Sequence, residues 1–292
     1  MKKIEFNISG LLIMVALVSF SFMPTASACT LFAATGVDHV VNSGTLMAKN
    51  RDEKPMSQTL KVVKPEAGYS YYGIFSGKNM LFCAVGINER GLAVGTSTAG
   101  SLPKKERLAN GVYRSKEGLR TNEYMLRYCS SVDEALALPA EVWQEPINFI
   151  LADKSKIAYV EVLPGGEKSV TVKTNGVIYH TNHYVNSDSS WANEKIGASS
   201  LARYNRIEEL MTEQKIFSLN DFIQFSEDRN DGPHNSIYRI GTKETGTQTL
   251  ANFIVFIPQK GSPVLYVKYR ENVEDKGAEK LVYPVMVDNI LK

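Results

Sequence analysis

The stretch Thr25-Ala26-Ser27-Ala28-Cys29-Thr30-Leu31-Phe32-Ala33-Ala34 divides the 292-residue chain into two parts of different character. Ahead of it, Lys2 and Lys3 precede a short apolar run from Leu11 to Val18, which is broken by Ser19 and Ser21 and closed by Pro24. A basic start, a short apolar core and small residues (Ala26 and Ala28) just before the cut mark a secretion signal cleaved after Ala28. The run is too short and too interrupted for a stable membrane span of about 20 residues. Residues 1–28 are therefore expected to be a signal peptide and residues 29–292 one mature domain, secreted or periplasmic. Cys29 then becomes the first mature residue and carries a thiol and a free α-amine together. An amine that titrates at roughly pH 8 can serve as the base that makes the thiol a nucleophile.

A cysteine after the cut also suits lipid attachment, which would acylate the amine, alkylate the thiol and leave a non-enzymatic, lipidated envelope protein. Ala26, where lipidation favours a larger aliphatic residue, argues for the unmodified cysteine. Removing 28 residues leaves 264, enough for a substantial core. Lys2, Lys3 and Glu5 leave with the signal, so the net charge moves from +2 to +1. Near-neutrality without a polybasic run gives no support for nucleic acid or a membrane surface as partner. The expected partner is a small molecule, with no metal or organic cofactor and with the oligomeric state open. An odd number of cysteines in an oxidising compartment leaves at least one thiol unpaired. Cys83 and Cys129 lie in apolar-rich segments and read as buried small hydrophobes in preference to a disulfide pair.

Short apolar or alternating runs predict strands at 29–35, 46–49, 60–63, 69–75, 81–87 and 92–96, with a hairpin turn at Asn88-Glu89-Arg90-Gly91. Residues 100–116 read as a polar loop. Helices follow at 122–129, with Met125, Tyr128 and Cys129 on one face, and at 131–138, opened by a Ser131–Glu134 capping box. Strands return at 147–152, 157–163, 169–173 and 177–181. The strongest helix is 198–213, with Leu201, Tyr204, Ile207, Leu210 and Met211 facing the core. Another, capped by Ser218 and Asp221, runs to Glu227, and closing strands are expected at 236–240, 249–257 and 264–269. Strands, a helix pair, strands, a helix pair and strands again describe an α+β protein with large antiparallel sheets.

Besides Cys29-Thr30, three stretches hold residues suited to chemistry. In Ala48-Lys49-Asn50-Arg51-Asp52, Asp52 can orient an amine and stabilise its charged form, and Lys49 or Arg51 beside a thiol would favour the thiolate. Taken alone, this cluster reads first as a solvated run of charge entering the loop Glu53-Lys54-Pro55, ahead of any catalytic role. In Tyr179-His180-Thr181-Asn182-His183-Tyr184, the Asn182 amide can donate to an oxyanion. His180 and His183 would point to opposite faces of a strand, which makes a poor metal pair. His183 is also the base of the alternative reading, a papain-like Cys-His thiol protease. In Ser199-Ser200-Leu201-Ala202-Arg203-Tyr204-Asn205-Arg206, an arginine near the helix start opposes the helix dipole and calls for a specific partner. Arg203 or Arg206 can pair with Asp52 or with a substrate carboxylate. Tyr69, Tyr71, Tyr72, Phe75, Phe82 and Trp191 are available to line an acyl pocket.

Taken in order, these stretches resemble a known family. They are Cys29-Thr30, Lys49 to Asp52, Gly86-Ile87-Asn88-Glu89-Arg90-Gly91-Leu92-Ala93, Thr181 to Tyr184, Ser199 to Arg203, and Thr247-Gln248-Thr249-Leu250-Ala251-Asn252-Phe253-Ile254-Val255. The set is similar to the linear-amide amidases of the choloylglycine hydrolase and penicillin V acylase group. It is closest to the isopenicillin N acyltransferase-like (C45) branch, which Cys-Thr-Leu-Phe and Ala-Lys-Asn-Arg-Asp fit well. The resemblance implies a four-layer αββα sandwich of the N-terminal-nucleophile type and hydrolysis or transfer of an N-acyl group on a small-molecule amide. It carries the nucleophile to Cys29, the orienting aspartate to Asp52, the oxyanion asparagine to Asn182 and the helix arginine to Arg203. Lys49, Arg51, Thr98 and His183 are then expected around the substrate. Lys49 stands where the bile-salt hydrolases have arginine, a role that Arg51 can take, and Thr98 stands where they have a second oxyanion asparagine. The resemblance therefore does not extend to bile-salt specificity.

Overall fold

The computed structural model describes residues 28–243, 245–272 and 279–292, so the expected signal peptide up to Ser27 lies outside the described residues. The strands are β1 (Ala28–Thr35), β2 (Thr45–Glu53), β3 (Gln58–Val63), β4 (Tyr71–Ser76), β5 (Phe82–Asn88), β6 (Ala93–Thr98), β7 (Ile147–Ala152), β8 (Ile157–Val162), β9 (Lys168–Lys173), β10 (Gly176–His180), β11 (Gln248–Ile257), β12 (Val264–Tyr269) and β13 (Lys280–Met286). They form two antiparallel sheets, ordered β10-β1-β2-β11-β12-β13 and β3-β4-β5-β6-β7-β8-β9. The helices are α1 (Lys104–Ala109), α2 (Thr121–Tyr128), α3 (Val132–Leu136), α4 (Ala198–Glu213), α5 (Leu219–Ser226), α6 (Gly232–Asn235) and α7 (Val287–Leu291).

Three packed clusters define four layers. Leu31, Met47, Ile150, Phe253 and Val255 meet between the two sheets. On the far side of the seven-stranded sheet, Met125, Leu126 and Val132 of α2 and α3 pack on Phe75, Val94 and Leu151. On the far side of the six-stranded sheet, Ile207, Met211 and Phe222 of α4 and α5 pack on Phe32, Leu46 and Ile254. The result is the αββα sandwich.

Strand alternation now sorts the chemistry. On β1, Leu31 and Ala33 lie between the sheets while Phe32 and Ala34 face the helices. The same period-2 pattern puts Cys29 on the inter-sheet side and Thr30 towards α4. On β2, Met47 faces inward and Leu46 and Ala48 face outward. Lys49 and Arg51 are therefore inward, and Asn50 and Asp52 outward.

Strands β7 and β12 and helix α4 have the expected limits. Elsewhere the structure corrects the sequence reading. The loop 100–116 contains α1, whose six residues bury nothing and so show no apolar period. Residues 236–240 are not a ladder strand. Tyr238 N–H donates to Asp228 O, Ile237 O accepts from the Asn50 amide, and Arg239 exchanges bonds with Thr249. These separate partners satisfy a backbone that alternation alone would assign to a sheet. Edge strand β13 escapes the sequence pattern because Pro284 interrupts its run. The β12–β13 register shifts there, and a bulge on an edge is where proline is tolerated.

On α4 the buried residues are Ser200, Arg203, Ile207 and Met211, while Leu201 is 45% exposed. The first turn packs on polar groups, so polar residues take its inner face and an apolar periodicity cannot register them. Ser218 and Asp221 form a reciprocal capping box, as expected. At α3 only half of the expected box forms: Ser131 Oγ accepts from Glu134 N–H, but the Glu134 carboxylate turns to Ser130. All three cysteines are free and buried, and burial pushes the Cys83 and Cys129 thiols up.

Phe222 is fully buried and its ring packs against Phe32 at 4.8 Å and Phe217 at 5.9 Å. Phe222→Ala should lower the unfolding free energy by about 3–5 kcal/mol, through lost burial and the cavity left behind. Urea denaturation of the mature protein measures this. A change below about 1 kcal/mol would mean that α5 is not packed as described.

Candidate active site

Cys29 lies near the start of β1, an interior strand that pairs with β2 along its length and with β10 from Leu31 onward. The residue directly opposite on β2 is Arg51. Cys29 is 3% exposed, and its backbone nitrogen donates to Asn182 Oδ1 at 3.0 Å. Asn182 lies just beyond the end of β10 and belongs with Cys29 although 153 residues separate them.

The orientation of the Asn182 amide follows from its neighbours. Arg203 Nη2 donates to Oδ1 at 2.9 Å, and Nδ2 donates to the Thr98 carbonyl at 3.0 Å. A guanidinium only donates and a carbonyl only accepts, so the amide faces one way. Arg203 reaches from α4 and also donates through Nη1 to Cys29 O at 2.6 Å and Thr30 Oγ1 at 2.9 Å. Its burial is complete, which draws its pKa down to about 10 against the opposing pull of Asp52, and it remains a cation at neutral pH.

Asp52 is fully buried on the outward face of β2. A bulge in β11 at Thr249/Ala251 accompanies the bond from Thr249 Oγ1 to Asp52 Oδ1, 2.7 Å. Thr249 Oγ1 also accepts from Arg239 N–H, which anchors Arg239 with Nη1 3.9 Å from Asp52 Oδ2. Burial raises the Asp52 carboxyl to about 6, with Arg203, Arg239, Thr249 and Lys49 opposing. Of the expected arginine partners of Asp52, Arg206 needs correcting, because it pairs with Asp228 and Glu209. Arg203 acts on Asp52 as a nearby charge that opposes the effect of burial, while its hydrogen bonds go to Cys29, Thr30 and Asn182. Arg239 takes the ion-pair position, and nothing in Ser236-Ile237-Tyr238-Arg239-Ile240 signals it.

On the inward side, a cavity of about 280 Å³ opens at Cys29 and is lined by Lys49, Arg51, Phe82, Thr98 and Arg120, among others. Lys49 Nζ crosses to the second sheet and donates to Ala84 O at 2.9 Å and Thr96 O at 2.5 Å. Burial lowers its pKa, and the nearby Cys29 acts in the opposite direction. Of the proposed acyl-pocket aromatics, Phe82 lines the cavity. Tyr71 and Phe75 belong to the core under α2, and Trp191 is 71% exposed.

The two histidines are committed elsewhere. His180 Nε2 lies 2.7 Å from Glu161 Oε1, and Glu161 also accepts from Val185 N–H at 2.6 Å and from Asn186 N–H and Ser189 Oγ. Burial would raise the Glu161 carboxyl, but the bonds from His180, Ser189 and Val185 outweigh it and hold it below the usual range. A lone acid in the apolar run Ile157 to Leu163 is a readable sign of this buried partner. His183 Nδ1 lies 2.9 Å from Ser200 Oγ, and burial together with His180 pushes its pKa down to about 4. No cluster of three or more His, Cys, Asp or Glu residues is placed to hold a metal among the described residues. No helix there is long and apolar enough to cross a membrane.

The two packed antiparallel sheets and the helices that cover them form an N-terminal-nucleophile hydrolase fold. The chain belongs to the acyl-coenzyme A:6-aminopenicillanic acid acyl-transferase family, whose model matches residues 41–270. That span includes Lys49, Arg51, Asp52, Asn182, Arg203 and Arg239, and Cys29 precedes it. No curated protein matches the sequence significantly. Among solved structures, the fold is similar to a Caenorhabditis elegans N-acylethanolamine-hydrolyzing acid amidase ortholog. That similarity has 9% identity and a TM-score of 0.52, and covers 87% of this chain and 100% of the other. A variant of conjugated bile acid hydrolase from Clostridium perfringens matches at 15% identity and TM-score 0.46, over 87% and 92% of the two chains. Penicillin V acylase from Agrobacterium tumefaciens matches at 14% identity and TM-score 0.42, over 82% and 83%.

The raised Asp52 carboxyl gives a pH test. Below about pH 4 the acid is protonated in folded and unfolded chains alike. Between about 4 and 6 the unfolded chain ionises it while the buried site resists, so stability falls as pH rises through that window. Wild type should therefore lose stability relative to Asp52→Asn from pH 4 to 6 and run parallel to it above about 7. Denaturation midpoints of both proteins over this range measure the difference, and the opposite slope would contradict the burial of Asp52.

Proposed function

We propose that the mature chain is a cysteine N-terminal-nucleophile amidase or acyltransferase that cleaves a linear, non-peptide N-acyl amide through a thioester on Cys29. The observation that carries this reading is the split environment of one residue. The Cys29 nitrogen is held by Asn182 Oδ1, and its side chain shares a cavity with Lys49 and Arg51. Membership in an acyltransferase family agrees with it.

The mechanism assigns a step to each of these groups. With the chain cut after Ala28, the Cys29 nitrogen is an α-amine beside Asn182 Oδ1. It takes the thiol proton, and sulfur attacks the amide carbonyl. Asn182 Nδ2 and a backbone N–H near Thr98 stabilise the oxyanion, and Asp52 with Arg203 holds the charged amine in place through the surrounding network. The ammonium then protonates the departing nitrogen as the C–N bond breaks. The thioester is resolved by water or by a second amine. The reading goes with export, secreted or periplasmic, if the cut after Ala28 is that of a secretion signal, and it requires an unlipidated Cys29. A papain-like dyad is disfavoured because His183 Nδ1 is engaged with Ser200 Oγ and burial pushes its pKa down to about 4.

Mass measurement and mutagenesis test this. Intact mass of the secreted protein should correspond to a chain starting at Cys29 with no added lipid, and a diacylglycerol adduct would favour the envelope lipoprotein. Cys29→Ala should abolish amide cleavage with the melting temperature retained. An uncleavable residue placed before Cys29 converts the amine to an amide and should cost at least the roughly 10²–10⁴-fold typical of a lost general base. Asn182→Ala should cost on the order of 10²–10³-fold, and His183→Gln much less. Normal turnover by the extended protein, with a dead His183→Gln, would establish the dyad instead.

A further inference from the structure

Asn182 lies beyond the end of β10, and its main-chain groups are met outside the sheet. Its carbonyl accepts from Ser101 N–H at 3.1 Å. Its N–H donates to a side chain, the hydroxyl of Ser200, at 3.0 Å. Ser200 is a buried residue in the first turn of α4, on the same helix face as Arg203. One turn of α4 therefore holds Asn182 twice, with Ser200 Oγ on the main-chain N–H and Arg203 Nη2 on the amide oxygen. Ser199, next in the chain, turns away and donates to His234 O at 2.8 Å.

The protons around Ser200 can be followed. A hydroxyl has one proton and two lone pairs, and Asn182 N–H takes a lone pair. The Ser200 proton has two acceptors in reach, His183 Nδ1 at 2.9 Å and Thr181 Oγ1 at 3.0 Å. Thr181 Oγ1 gives its own proton to Ser200 O, at 3.0 Å. The stretch Thr181-Asn182-His183 thus closes round a single hydroxyl.

The bonds from Arg203 and to Thr98 choose which way the Asn182 amide faces, but the side chain still moves with the backbone that carries it. An oxyanion donor has to be held within about 0.5 Å of its working position before the charge develops. Resting on the amidase reading above, we propose that Ser200 is a positioning residue for the reaction: its hydroxyl fixes the main chain of Asn182 and so preorganises the oxyanion donor. A buried N–H that loses its acceptor is costly, and the backbone shifts to recover a partner. Loss of the Ser200 hydroxyl therefore displaces Nδ2 while leaving the nucleophile and the cavity wall as they are. The spacing of Ser200 and Arg203 is then one device, in which a single helix turn holds both the backbone and the side chain of the same asparagine.

The test is a double-mutant cycle on the mature protein, with hexanoyl-4-nitroanilide as substrate and released nitroaniline as the signal. Ser200→Ala should lower kcat roughly ten- to a hundred-fold and change KM less than about twofold. In an Asn182→Ala background the same substitution should cost less than about twofold, because the group it positions is gone. A serine with a merely structural role slows both backgrounds by the same factor. Equal factors, or a wild-type kcat in Ser200→Ala, overturn the proposal. A second measurement needs no turnover: hydrogen exchange in protein labelled with nitrogen-15 asparagine, the Asn182 signal being assigned by its loss in Asn182→Ala. Ser200→Ala should reduce protection of the Asn182 main-chain N–H about tenfold or more, while Asn148 inside the β7 ladder keeps its protection. Unchanged protection at Asn182 overturns the proposal whether or not the anilide is cleaved. An anilide that wild type leaves intact, with Asn182 protection lost in Ser200→Ala, counts against the amidase reading alone.

Discussion

The site depends on one guanidinium with no exposure to solvent. Arg203 leaves the first turns of α4 and reaches the backbone of Cys29, the hydroxyl of Thr30 and the amide oxygen of Asn182. Taking such a cation out of water costs several kcal/mol unless its donors are satisfied, and removing a partner exposes that cost. Helix, strand and loop are therefore held in one arrangement. The arrangement turns the Asn182 oxygen towards the Cys29 nitrogen and its NH₂ towards the end of β6. It also explains why polar residues occupy the inner face of α4 at the point where a purely apolar stripe would be expected.

Strand alternation then keeps charges of different purpose apart. Neighbouring side chains on β2 point to opposite faces, so Lys49 and Arg51 line the thiol cavity while Asp52 is enclosed with Thr249 and Arg239 under the helices. Asp52 cannot neutralise the inward cations by contact, and the thiol has no carboxylate directly opposite it. Both features suit the proposed mechanism, in which Cys29 carries negative charge on sulfur and a positive amine on the same residue.

The cavity is closed by bonds that cross between the sheets at the end of β6. Lys49 donates to Thr96, Asn182 donates to Thr98, and Ser97 Oγ donates to Thr181 O at 2.6 Å. Farther out, Glu161 on β8 gathers His180, Val185, Asn186 and Ser189, which fixes the loop that carries Asn182. A buried carboxylate that accepts this many bonds positions its neighbours more firmly than apolar packing does, because each bond is directional and costly to leave unmade.

The sequence by itself determined the α+β class, the hairpin at Asn88 and the limits of α4, which follow from period and turn chemistry, both of them local. The resemblance to a known family, and not any local pattern, offered Cys29, Asp52, Asn182 and Arg203 as a set. Tertiary structure alone decided that Arg239 faces Asp52, that His183 bonds Ser200, and that Arg51 opposes Cys29. It also decided that Phe82 lines the cavity while Trp191 is exposed. The bond between Thr249 and Asp52 joins residues 197 apart, and that between Arg203 and Cys29 joins residues 174 apart. Such pairings are set by sheet order, register and a single bulge. Each fixes which face of a strand meets which helix, and no local pattern of side chains encodes that choice.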